Sequence, residues 1–144
     1  MSALIHGPGA GAPNRAFGFE RWLRIPSPSG FALFEEHIPA GKGPPLHIHL
    51  AESELFTVME GRVLFHCDGE EAEAGPGTTV LIPPGDRHAF RAVEAARLLI
   101  QLTPGEGYGF FEEVEAAGLT PPDDMPRIAE IGAKYHLDFV GPPI

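Results

Sequence analysis

Glycine and proline punctuate this chain so closely that few long elements can form in it: 18 glycines and 16 prolines fall among 144 residues, between short apolar stretches. Proline removes a backbone donor and glycine admits turn conformations, so the stretches between them are confined mainly to short strands. From Phe17 to Asp138 such runs recur with turn signals between them. Strands are expected over 17–25, 31–39, 53–59, 62–67, 70–74, 78–82, 88–92 and 96–103. Gly41-Lys42-Gly43-Pro44-Pro45 is excluded as a central strand, because proline cannot donate to a ladder. Many short strands at regular spacing predict an all-β sandwich or barrel.

The two ends break this pattern. Residues 1–15 are rich in glycine, alanine and proline and read as a flexible arm, with the barrel spanning 16–104. Over 105–144 the period changes. Phe110, Phe111, Val114 and Ala117 recur at helical spacing with Gly118 as a stop, and Asp124 with Pro126 opens a second helix whose shared face is Ile128, Ile131 and Tyr135. Both short C-terminal helices are expected against the outside of the barrel.

Composition excludes several classes. The net charge of −10 and the ten scattered Lys and Arg residues leave no basic stripe, so neither nucleic acid nor an anionic membrane surface is an expected partner. A single cysteine, Cys67, rules out an intramolecular disulfide. No stretch has the length and character of a signal peptide or a membrane helix, which makes a cytoplasmic protein the expectation.

The chemistry concentrates in Gly41–Gly61. His47 and His49 lie two apart, so on a strand both rings share a face. Glu54 has the opposite parity, but the polar link Leu50–Ser53 can reset the phase, after which Phe56 and Val58 continue the same face. His88 opens a later strand in line with Phe90 and Ala92. Three imidazoles and a carboxylate can thus meet on one apolar interior, where they are costly unless paired or bound to a metal. Glu52 would replace Glu54 if the link were phased differently. His6, His37, His66 and His136 have no such spacing and read as ordinary surface or core histidines.

This pattern resembles the cupin superfamily. Its first motif places a glycine, His-x-His, a glutamate and a glycine at intervals met by Gly41, His47, His49, Glu54 and Gly61. Its second is met by Gly77, Pro83, Gly85 and His88, with Ala92 where the family often has asparagine. The resemblance implies a jelly-roll β-barrel (a double-stranded β-helix) and one divalent transition metal ion on His47, His49, Glu54 and His88. Three imidazoles and a carboxylate suit Fe, Mn, Ni, Co, Cu or Zn and do not choose among them. Barrels of this family pair through outer sheet faces and exchanged termini, so a homodimer is expected. The tail, with Tyr135 and Phe139-Val-Gly-Pro-Pro, is similar to that of small quercetin dioxygenase-like cupins.

The expected pocket is lined by Phe56, Val58, Phe90, Ile100 and Leu102. With no Lys or Arg of inward parity on the motif strands, a phosphate clamp is not expected. The leading expectation is a dioxygenase acting on a small apolar oxygenated substrate, such as a flavonol or an enolisable diketone, with Glu54 also taking the substrate's proton. A non-catalytic metal or small-ligand binding cupin, and a metal-dependent isomerase or lyase, stand as alternatives.

Overall fold

The computed structural model describes residues 2–144. Nine strands, all paired antiparallel, make the barrel: β1 (Ala12–Asn14), β2 (Glu20–Ile25), β3 (Ala32–Ile38), β4 (Pro45–His49), β5 (Ser53–Cys67), β6 (Glu70–Ala74), β7 (Thr79–Ile82), β8 (Arg87–Thr103) and β9 (Leu137–Pro143). Two helices, α1 (Gly109–Ala116) and α2 (Met125–Lys134), lie between β8 and β9. The fold is a jelly roll. No described helix is long and apolar enough to cross a membrane.

Two long strands form the spine. β5 and β8 pair along nearly their whole length, from Ser53↔Thr103 to Cys67↔His88. The sequence suggests four shorter strands here, because Glu60-Gly61 and the Val93–Ala95 stretch look like breaks. Instead the ladder runs on through register shifts between Val58 and Val63. Such bulges let a strand bend and pass from one side of a barrel to the other without ending. Gly61 makes the bend possible. Its φ is +81°, and a β-carbon there would lie 2.2 Å from the Ala95 carbonyl oxygen.

Alternation then sorts side chains. On β5, Glu54, Phe56, Val58, Val63 and Phe65 are buried, and on β8 Phe90, Ala92, Leu98, Ile100 and Leu102 meet them in the main core. A second, smaller core joins Ala16, Phe110, Val114, Leu119, Ile128 and Leu137. It links both helices to β9 and to the 3-10 turn at Ala16–Gly18.

The ends differ from the sequence reading. The arm is not wholly loose: Ala12–Asn14 pairs with β2, and the Asn14 side chain is buried, donating to the Phe111 carbonyl and accepting from Arg21. The segment after α2 is not helical. Leu137–Pro143 forms β9 and pairs with β4 alone, an edge position at which its two prolines cost no second ladder.

Candidate metal centre

Three strands converge on one end of the barrel. β4 carries His47 and His49, β5 carries Glu54 next to its start, and β8 carries His88 at its second residue. His47 and His88 are register partners on adjacent strands, and their rings lie 4.2 Å apart. The turn before β8 is anchored to the same place, because Gly85, at φ +92°, donates its N–H to the His49 carbonyl at 2.9 Å. The link Leu50–Glu52 does reset the phase, so Glu54 faces inward with Phe56 and Val58.

One nitrogen from each histidine and one Glu54 oxygen all lie within 4.8 Å of one another. Glu54 Oε1 sits 3.1 Å from His88 Nε2 and 3.4 Å from His49 Nε2. Backbone carbonyls orient two of the rings: Pro45 O lies 2.7 Å from His47 Nδ1, and Asp86 O lies 3.0 Å from His88 Nδ1. A ring nitrogen facing a carbonyl must carry the proton, and this turns Nε2 of each ring toward the cluster. Glu52 is excluded from the set. Its carboxylate accepts from the amides of Gly105 and Gly107 and braces the loop leading to α1.

The electrostatics suit a cation. Burial, with His88 and His49 beside it, pushes His47 down to about 3, so this ring stays a neutral donor. Burial alone would raise the Glu54 carboxyl, but the adjacent His49 and His88 hold it well below the usual carboxylate range. His49 is opposed by burial yet raised overall by Glu54 and, more weakly, by Glu52. The donor set therefore fits a divalent transition ion: three imidazoles, two of them aimed by backbone carbonyls, and an ionised carboxylate, with little access to water.

A pH dependence follows. In the metal-free protein a proton competes at His49 well before it competes at His47, and acidification must weaken the ion's hold. Zinc titrations at about pH 7.5 and about pH 5.5, either side of the ordinary histidine value of about 6.5, are expected to show tighter binding at the higher pH. Equal affinity at both would contradict the assignment.

The cluster opens onto an aromatic cavity of about 50 Å³. Of the expected lining, Phe90 and Ile100 are present, whereas Phe56, Val58 and Leu102 are buried in the core and do not reach it. The walls come largely from outside the motif strands: Phe17 and Phe19 before β2, Phe34 on β3, Phe110 and Phe111 on α1, and Leu137 and Phe139 on β9. Helix α1 and β9 thus contribute to the cavity wall as well as packing on the barrel. A salt bridge also lines the cavity, Arg21 to Glu36, although no cation is expected there from the motif strands. Its parity was readable, since Phe34, Glu36 and Ile38 alternate, but the β2–β3 register was not.

Residues 34–103 match the family model described as Cupin domain. An uncharacterized protein of Methanocaldococcus jannaschii is 37% identical over 62 residues, 43% of this chain and 50% of that protein. The "Probable oxidoreductase virH" of Hypocrea virens is 39% identical over 49 residues, 33% of this chain and 22% of that protein. The chain therefore matches half or less of the length of these curated relatives. Among solved structures, an RmlC-like cupin from Shewanella frigidimarina superposes with a TM-score of 0.64 at 17% identity, over 73% of this chain and 94% of that one.

Proposed function

We propose that this cupin barrel is a metal-dependent dioxygenase acting on a small, mostly apolar carbonyl compound that can enolise. The observation that carries this reading is a cluster of three imidazoles and one carboxylate that opens, through His47, His49 and Glu54, onto a cavity walled by phenylalanines. A buried apolar wall around a few convergent polar groups favours flat, weakly polar guests. One curated relative bears an oxidoreductase name, which is in keeping with this.

Size separates the two expected substrate classes. A cavity of about 50 Å³ favours the smaller guest. A three-ring flavonol is far larger than a five-carbon diketone. The diketone is the better fit.

A divalent ion on His47, His49, Glu54 and His88 would supply a Lewis acid that eases loss of the substrate's proton and, if redox-active, a route for dioxygen to react. The chain's own residues do the rest. Glu54, ionised and beside the open face, takes the proton. The Pro45 and Asp86 carbonyls keep His47 and His88 from rotating away. Phe90, Phe110, Phe111 and Phe139 exclude bulk water from the enol.

Protein loaded with Fe, Mn, Ni or Co is expected to take up dioxygen with acetylacetone, and Glu54→Gln is expected to lower turnover more than ion content. Acetylacetone consumed without oxygen uptake would point to the isomerase or lyase alternative. Binding without consumption would point to the non-catalytic one.

A further inference from the structure

Arg21 and Glu36 face one another as register partners across β2 and β3, with side chains 1% and 5% exposed. Arg21 Nε donates to Glu36 Oε2 at 2.8 Å, and Nη1 donates to Asn14 Oδ1 at 2.7 Å and to the Ala16 carbonyl at 2.8 Å. The guanidinium carbon lies 4.1 Å from the centre of the Phe111 ring. Both residues line the cavity onto which the histidine cluster opens. Among the described residues, Arg21 Nη2 and Glu36 Oε1 have no hydrogen-bond partner, and neither is shut off from the cavity as an orphaned buried atom. One donor and one acceptor of the pair therefore remain unpaired in a chamber whose other polar groups are His47, His49 and Glu54.

Stability does not account for the pair. Two charges taken out of water are seldom better than well-packed apolar residues of the same volume, and this chamber is already walled by phenylalanine. Holding β1 and α1 to the barrel explains Nη1 and the ring contact, but not the two atoms left free.

We infer that Arg21 and Glu36 are the recognition end of the cavity and select a small neutral ligand carrying a carbonyl and an enolic hydroxyl, rejecting carboxylates of equal size. This rests on the reading of the cavity as the ligand site. On entry, before the hydroxyl gives up its proton to Glu54, the carbonyl oxygen accepts from Arg21 Nη2 and the hydroxyl donates to Glu36 Oε1. A carboxylate would gain the first contact but set its charge against Glu36 in a medium where repulsion is poorly screened.

Acetylacetone and acetoacetate test this, since they have the same number of heavy atoms and differ by one charge. Both are titrated into zinc-loaded protein by calorimetry, with metal content and melting curve checked for each variant. The parent is expected to prefer acetylacetone. In Glu36→Gln, where Arg21 is no longer neutralised, the preference is expected to shift toward acetoacetate by at least about tenfold, the worth of one charge-assisted hydrogen bond. The double variant Arg21→Met/Glu36→Leu, which leaves no charge unpaired, guards against a folding failure and should weaken acetylacetone by about tenfold. Unchanged ratios in Glu36→Gln, or unchanged acetylacetone affinity in the double variant, would overturn the recognition role while leaving the cavity a ligand site. No binding of either compound to the parent would overturn both readings. A shifted preference with zinc, together with no oxygen uptake by protein loaded with Fe, Mn, Ni or Co, would uphold recognition and remove the oxygenase.

Discussion

Replacing His47 or His88 by alanine is expected to take the ion content well below one per chain while leaving a folded barrel. The two rings are neighbours on paired strands, 4.2 Å apart, and a backbone carbonyl aims each one. Removing either leaves two imidazoles and a carboxylate, with a gap where an oriented lone pair had been. The barrel is spared because its main core, Phe34, Phe56, Leu98 and Ile100 among others, does not include the ligands. Metal analysis on protein purified without added metal, beside a melting curve, reads both effects. Full stoichiometry in a His47→Ala/His88→Ala protein would remove the metal assignment.

Truncation after Thr120 is expected to have the largest effect on stability. It deletes α2 and β9, and with them the buried Ile128 and Leu137 and the partly buried Ile131 and Phe139 of the second core. At roughly 1.5–3 kcal/mol for each fully buried large side chain, the loss is several kcal/mol, against a total of roughly 5–15 kcal/mol for an ordinary domain. It also strips β4 of its ladder to β9, in which His47 faces Phe139 and His49 faces Leu137. The truncated protein should therefore melt lower or aggregate, and bind zinc less tightly than the full chain. A truncated protein with the parent's melting curve and zinc affinity would show the tail to be dispensable.

Legibility from sequence followed the range of the interactions involved. His47 and His49 could be read because spacing within a strand fixes which side chains share a face, while Glu54 and His88 joined them through the motif resemblance, in which Gly61 and Gly85 mark a bend and a turn. Helices α1 and α2 showed in a local period. The cavity could not be read in this way. Its Phe17, Phe110 and Phe139 come from segments far apart in the chain, and only the pairing of β9 with β4 and the packing of α1 bring them together. Phe56, Val58 and Leu102 had the right parity, but parity distinguishes inside from outside and not depth along the barrel. β9 was hidden by its own residues, since a glycine and two prolines read as a tail unless an edge is known to be vacant.

The pairing of β9 with β4 also sets an order of events during synthesis. His47 and His49 emerge from the ribosome about 90 residues before Leu137–Pro143, the strand that completes their own. Until then β4 has a bare edge, and the phenylalanine that faces His47 does not yet exist. Contacts so distant in sequence form late in folding. An ion bound at the finished geometry would therefore be held only after β9 has been made and has paired with β4.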